Sequence, residues 1–308
     1  MKALVIGAAG FVGPYLCKNL KDNGFKVLAT KLEHENVKGD FDFVNLNILK
    51  KEEIDSLLKE FAPDVIFHLA AQSSVKLSWE RPQLTFEINV IGAINLLESI
   101  KKFAKDAKVV LIGSGEEYGQ IDQNKLPVNE DTKIEANNFY AVSKATQNRI
   151  GRIYSKAYGL NVISVRAFNH IGVGQLDTFV IPSFCKQVVE IEKSGKPGVI
   201  RVGNLSSKRD FTDVRDIVNA YRLLALKGKS CETYNVGSGK AYKIEELLNI
   251  ILSLTTSSIK VEIDPARFRP VDTPEIRADI SKLVNDTGYK VEHDLKDTIK
   301  EIMDSFRK

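Results

Sequence analysis

The 308-residue sequence predicts an α/β protein, a doubly wound parallel sheet with a smaller C-terminal α/β domain. Two patterns predict it. Short apolar runs alternate with longer amphipathic stretches through the first half of the chain, and the alternation breaks down after Arg166. Repeated strand–helix–strand succession gives a parallel sheet, because each crossover is right-handed and returns the chain to the same edge. Hydrophobic residues at 43% and charged residues at 27% are ordinary globular usage, so the chain can fill a core and lacks the composition of disorder.

Taken in order, residues 3–7, 27–30, 43–45, 65–69, 109–113 and 162–166 are apolar runs too short for buried helices and read as buried strands. Residues 51–61 read as a helix. After Pro82, Ile88, Ile91, Leu96, Leu97 and Ile100 fall near one face of a long helical segment. Beyond Arg166 come loops, a helix at 181–193, a strand at 199–202, and helices at 214–226, 244–254 and 295–306. No Gly/Ser/Pro-rich linker separates the parts, so they are expected to interleave: 1–168 with a contribution from 204–236, against 169–203 and 237–308.

Lys and Arg number 44 against 40 Asp and Glu. A net charge of +4 suits a small anion but is too small and dispersed for nucleic acid. Cys17, Cys185 and Cys231 are far apart and odd in number, which argues against a disulfide framework and for a cytoplasmic setting. The opening MKALVIGAAGFVG has one basic residue before its apolar run, and no apolar stretch of about 18 residues follows, so neither a signal peptide nor a membrane span is expected. His34, His68, His170 and His293 show no ligand spacing, and no metal is expected.

The first strand runs into Gly7-Ala8-Ala9-Gly10-Phe11-Val12-Gly13 and then a helix. Glycines here allow a tight turn and leave no side chain between the backbone amides and a pyrophosphate drawn to the helix N-terminus. Strand, turn and helix together predict a Rossmann-type dinucleotide site at Gly7, Gly10, Phe11, Val12 and Gly13. At the end of the second strand, where an acid would bind the ribose hydroxyls of NADH, stand Thr30 and Lys31. A cation there favours NADPH, and Glu33 close by leaves NADH possible.

Tyr140 and Lys144 lie one turn apart at the start of a helical segment, so phenol and ammonium can converge. A fixed cation is expected to lower the tyrosine pKa and make the phenol a usable acid toward a carbonyl. Ser114 follows the fifth strand, at the carboxyl edge where open α/β sheets bind ligands.

These residues resemble the extended short-chain dehydrogenase/reductase family of nucleotide-sugar enzymes, with Ser114, Tyr140 and Lys144 as its catalytic triad. The likeness covers nearly the whole chain and includes His68-Leu69-Ala70-Ala71-Gln72-Ser73-Ser74-Val75, Asn89-Val90-Ile91-Gly92 and Arg166-Ala167-Phe168-Asn169-His170. The resemblance implies that Leu69, Ala70 and Ala71 pass under the cofactor, that Asn45 and Leu46 border its adenine, and that His170 borders the nicotinamide. It also implies a small-molecule nucleotide-sugar substrate touched by Ser73, Ser74, Glu116 and Asn169, and a homodimer built through residues 82–103 and 140–158.

Residues 203–214 resemble the diphosphate-binding stretch of GDP-mannose-processing members, which gives Arg209 to the phosphates, a task its planar fork suits. Arg269-Pro270-Val271-Asp272 resembles a second clamp, with Arg269 on the diphosphate and Asp272 nearby, and Val180 lies in a loop resembling the one that borders the base. Dehydratases of this group resemble one another in Thr-Asp-Glu or Thr-Ser-Glu after the fifth strand, where this chain has Ser114-Gly115-Glu116. Glycine has no side-chain proton to give, so the expected reaction is reduction of the C4 ketone of GDP-4-keto-6-deoxy-D-mannose to GDP-6-deoxy-D-mannose. Glu116 keeps a dehydratase or 4-epimerase open, and an NADP-sensing regulator on the same scaffold is the non-enzymatic alternative.

Overall fold

The computed structural model describes residues 1–308 except 36, 38–40 and 269–272. Strand β1 (Lys2–Ile6) leads into α1 (Val12–Asp22), β2 (Lys26–Lys31), β3 (Phe43–Asn45), α2 (Lys51–Phe61) and β4 (Val65–His68). Then come α3 (Val75–Glu80), α4 (Pro82–Phe86), a π-turn at Glu87–Ile91, α5 (Gly92–Phe103), β5 (Lys108–Ser114), a 3₁₀ turn at Gly115–Tyr118, α6 (Phe139–Tyr158) and β6 (Asn161–Ala167). The remainder is β7 (Asn169–Ile171), α7 (Val180–Ser194), β8 (Gly198–Val202), β9 (Lys208–Asp213), α8 (Val214–Lys227), β10 (Thr233–Val236), β11 (Ala241–Lys243), α9 (Ile244–Ser253), β12 (Ile259–Ile263), β13 (Glu275–Ile276), α10 (Ser281–Thr287) and α11 (Leu295–Arg307).

Among the described residues the main sheet has 7 strands in the order β10-β6-β5-β4-β1-β2-β3, all parallel. Its strand order reverses between β1 and β4, so a crevice opens at their carboxyl ends. Residues of β4 alternate between the two faces. Val65 and Phe67 pack with Leu16 and Leu20 of α1 and Ile217 and Leu224 of α8, while Ile66 packs with Ile54 of α2 and Leu96 and Leu97 of α5. Burial on both faces is why these strands read as unbroken apolar runs. A separate core joins Phe184 and Val188 of α7, Leu247 and Ile251 of α9, and Ile299 and Met303 of α11 to Ile200 and Val202 of β8.

Two buried strands lie outside the strands expected from the sequence. Strand β9, read as a ligand-binding stretch among loops, pairs with β7, β11 and β13 although its sequence is mostly polar. The charges are satisfied internally: Asp210 accepts from the N–H groups of Ser238, Gly239 and Ala278 and from the Ser238 hydroxyl. Strand β10 extends the main sheet beside β6, with its buried Asn235 bonded to Tyr118, Val128 and Glu130. The long helix expected after Pro82 is interrupted by the π-turn, which carries Asn89.

Candidate active site

At the end of β1, Gly7 has φ +81°, and a Cβ on it would stand 2.5 Å from the Ala70 nitrogen. A Cβ on Gly13 would run into the Ala8 backbone. These two glycines are required by the chain's own packing. Gly10 is different, because its nearest neighbour to an added Cβ is the Gly7 oxygen at 3.7 Å. The fold would accept a side chain there, and its absence leaves a cradle beside the first turn of α1, whose amides have no intrahelical partners. That cradle fits a pyrophosphate. Ala70 and Leu69 both donate to the Ile6 carbonyl at 2.9 Å, which holds the segment after β4 against the turn.

Thr30 is buried beneath this turn, its Oγ1 accepting the Gly7 N–H at 3.1 Å, so its hydroxyl shapes the glycine turn. Lys31 follows at the strand end with Nζ on the Glu35 carbonyl at 3.0 Å. The Lys31 carbonyl in turn accepts the N–H of buried Leu46, and Asn45 beside it is exposed. His170 stacks on Phe11 with centroids 6.0 Å apart and planes 7° apart, which joins β7 to the glycine turn. Its Nδ1 lies 3.0 Å from the Phe168 carbonyl, and burial lowers its pKa and keeps the ring neutral.

The structure brings Ser114, Tyr140 and Lys144 together. Ser114 ends β5, and Asn138 caps α6 by accepting the Ala141 N–H at 2.8 Å, which fixes the turn carrying Tyr140. Tyr140 is buried and hydrogen-bonded to the Ser114 side chain, whose Oγ also accepts the Glu116 N–H at 3.2 Å. Lys144 is buried one turn on, its Nζ donating to the Ile112 carbonyl at 2.7 Å and to Gln147 Oε1 at 3.1 Å. The expected lowering of the tyrosine pKa is corrected here. Burial raises the Tyr140 pKa and outweighs the Ser114 hydrogen bond, while the charges of Glu116 and Glu117 add to the rise. Burial also brings Lys144 down to about 8, with Glu117 opposing.

Sequence reasoning missed the scaffolding behind this group. Asn89 is fully buried, bonds the Gln72 N–H and C=O at 2.8 and 3.0 Å, and donates to the Ser143 hydroxyl at 2.9 Å. It thereby ties the segment after β4 to the catalytic helix. Glu117 and Arg166 form a buried pair behind Ser114. The motifs containing Asn89 and Arg166 were visible in the sequence, but nothing there says which side chains turn inward.

Ser73 is exposed, and Ser74 caps α3 by accepting the Leu77 N–H at 3.1 Å. Glu116 is half-buried in the turn after Ser114, and Asn169 is half-buried on β7. Val180 opens α7, at the end of the loop that follows β7. Arg209 is buried on β9, with Nη1 donating to the carbonyls of Lys208 and Thr273 at 2.8 and 2.7 Å. Arg269 and Asp272 lie outside the described residues.

A glycine turn at a strand-order switch point, with a buried Ser–Tyr–Lys group at the same sheet edge, defines a nicotinamide-dependent oxidoreductase on a Rossmann-type fold. The chain belongs to the GDP-mannose 4,6 dehydratase family, which matches residues 4–302, within the extended short-chain dehydrogenase/reductases. The GDP-6-deoxy-D-mannose reductase of Pseudomonas aeruginosa is 31% identical over 302 residues, covering 98% of this chain and 96% of that protein. The structure of RMD from Pseudomonas aeruginosa complexed with NADPH superposes with a TM-score of 0.87 at 29% identity, over 99% of this chain and 98% of that one. The UDP-glucose 4-epimerase of Thermus thermophilus in complex with NAD gives 0.86 at 28% identity, over 100% and 99%. The family uses nicotinamide cofactors, and its members act on nucleotide sugars as reductases, epimerases and dehydratases.

Proposed function

We propose that this protein reduces the C4 ketone of GDP-4-keto-6-deoxy-D-mannose to GDP-6-deoxy-D-mannose, with NADPH as the preferred reductant. The observation that carries reduction over water elimination is Gly115. A Cβ there would lie 3.2 Å from three carbons of the buried Phe168 ring, so the middle position between Ser114 and Glu116 has no room for a proton-carrying side chain unless Phe168 gives way. The P. aeruginosa reductase supports the choice of substrate.

Bound NADPH supplies the hydride. Tyr140, kept in its acid form by burial, gives its proton to the oxygen that develops charge at C4, and Ser114 holds that oxygen by a hydrogen bond. Lys144 stabilises the phenolate left behind and binds the cofactor ribose. Gly7, Gly10, Phe11, Val12 and Gly13 hold the pyrophosphate, and Lys31 beside Thr30 favours NADPH over NADH. Asn45 and Leu46 border the adenine, Leu69, Ala70 and Ala71 pass beneath the cofactor, and His170 borders its nicotinamide. Ser73, Ser74, Glu116, Asn169, Val180 and Arg209 contact the sugar nucleotide, with Arg269 and Asp272 completing the diphosphate clamp. On this reading residues 1–168 and 204–236 serve the cofactor, and 169–203 and 237–308 the substrate.

Among the described residues no helix is long and apolar enough to cross a membrane, and the reading places the enzyme in the cytoplasm. Trp79, Ile91, Phe139, Val142, Ile153 and Tyr158 expose apolar surface along α3, the π-turn and α6, which supports a homodimer formed through these helices.

Glu116 favours a second reading, because its charge acts on Tyr140 from the position that a C5 base would take in a dehydratase. The test is incubation with GDP-4-keto-6-deoxy-D-mannose and, separately, GDP-mannose, each with NADPH or NADH. Consumption of one NADPH per product from the keto sugar supports reduction. Conversion of GDP-mannose without net cofactor consumption replaces it with the dehydratase.

A further inference from the structure

Glu117 takes no part in the chemistry above, yet its side chain is only 1% exposed and lies directly behind the catalytic serine. Its Oε1 accepts the Ser114 N–H at 2.9 Å and the Asn148 Nδ2–H at 2.7 Å, and its Oε2 accepts Arg166 Nε at 3.3 Å. All three neighbours are donors. As they are placed, all three donate to the carboxyl and favour the carboxylate, while burial works in the opposite direction and raises the pKa.

Stability is a weak reason for a buried ion pair, since a well-packed apolar replacement often does as well. The surroundings give a better reason. Arg166 is anchored in turn by the Tyr118 hydroxyl and the Glu130 carbonyl, each at 3.0 Å, so the carboxylate is held from behind on β6. In front of it, Lys144 of α6 binds the Ile112 carbonyl on β5, the strand that also ends in Ser114. The negative charge of Glu117 favours the ammonium form of Lys144 and the neutral phenol of Tyr140. Among the described residues, the pair is also faced by Glu116 on the same turn, which acts on Tyr140, and by His68 on β4, which burial keeps neutral beside Lys144. The buried Tyr221 of α8 faces it too; burial keeps this residue a neutral phenol, and the Tyr140 charge would raise its pKa further.

We propose that Glu117, clamped by Arg166, is a positioning residue of the reduction: it fixes the backbone of Ser114 and holds the Tyr140–Lys144 pair as phenol and ammonium, the state needed before the proton moves. The kinetic part of this inference rests on the proposed reaction; the charge state of Lys144 can be read without it.

Glu117→Gln keeps an acceptor for the Ser114 N–H and removes the charge. Because that variant leaves Arg166 buried and unpaired, Glu117→Gln/Arg166→Met serves as the second variant. The Lys144 signal is followed against pH by NMR of [ε-¹³C]lysine-labelled full-length protein, assigned by its loss in Lys144→Met. The pH profile of kcat/KM and the Kd for NADPH are measured alongside. In both variants the Lys144 midpoint is expected to fall by about one unit. The basic limb of kcat/KM should move down with it, and NADPH affinity should change less than about threefold, because Glu117 acts on the pair rather than on cofactor contacts. An unchanged midpoint in both variants would overturn the proposal, as would lost thermal stability with a wild-type pH profile. A wild-type protein that leaves the keto sugar untouched sinks the proposed reaction instead, and the NMR midpoint still decides the role of Glu117.

Discussion

Tyr140→Phe removes a single oxygen from a buried ring and leaves the rest of its packing in place. Two quantities then separate. The structural loss is one hydrogen bond to Ser114, whose Oγ keeps the Glu116 N–H as a partner, so the stability cost is about 1 kcal/mol. The catalytic loss is the positioned general acid, worth about 10²–10⁴-fold, or about 3–5 kcal/mol of barrier. Turnover should therefore fall far more than folding stability does. The phenol bonds to Ser114 rather than to the glycine turn or α1, so NADPH binding should stay close to wild type. Absorbance of reduced nicotinamide in the presence of keto sugar measures the first quantity, thermal melting the second, and nicotinamide fluorescence the third. Turnover within about twofold of wild type would refute the assignment, because no positioned acid is worth so little. Loss of NADPH binding in step with turnover would refute the separation of roles between the glycine turn and the phenol.

Asn89→Ala removes bonds to Gln72 N–H, Gln72 C=O and the Ser143 hydroxyl in a fully buried setting, so stability to denaturant should fall by about 2–4 kcal/mol, and a drop under about 1 would count against the tie. Gly115→Ala sets a methyl 3.2 Å from the Phe168 ring and should cost about 1–3 kcal/mol by overpacking; a neutral melt would show that the ring yields easily and would weaken the case for reduction. His68 is fully buried, neither ring nitrogen has a partner among the described residues, and its pKa falls from 6.5 to about 3. The folded chain then binds fewer protons than the unfolded one between those values, so this group's contribution to stability drops as pH falls below 6.5 toward 3. Denaturation of His68→Leu across that range should show a shallower acid decline than wild type, and parallel curves would disprove it.

Much of the site could be read because its chemistry follows local sequence. The spacing of Gly7, Gly10 and Gly13 sits between a strand and a helix, and Tyr140 and Lys144 share a helix face by periodicity alone. Strand β4 was legible because both of its faces are buried. Strand β9 was not, because Arg209, Asp210 and Asp213 look like surface charges until their partners arrive from residues remote in sequence, such as Ser238, Ala278 and Thr298. The direction of the Tyr140 shift was misread for a related reason. The cation one turn away was visible, but the depth of burial that raises the pKa was not, nor were the charges of Glu116 and Glu117 that add to the rise.

By itself, then, the order of residues determined the alternating strands and helices, the glycine turn and the pairing of phenol with ammonium, since each depends on neighbours within a few positions. Only the tertiary structure decided that Thr30 shapes the turn beneath Gly7, that Asn89 joins the segment after β4 to α6, and that Glu117 and Arg166 stand behind Ser114. Those contacts bring together segments that are distant along the chain. Their strength comes from removal of water around them, which is set by how the sheet and its covering helices pack and by no local run of residues.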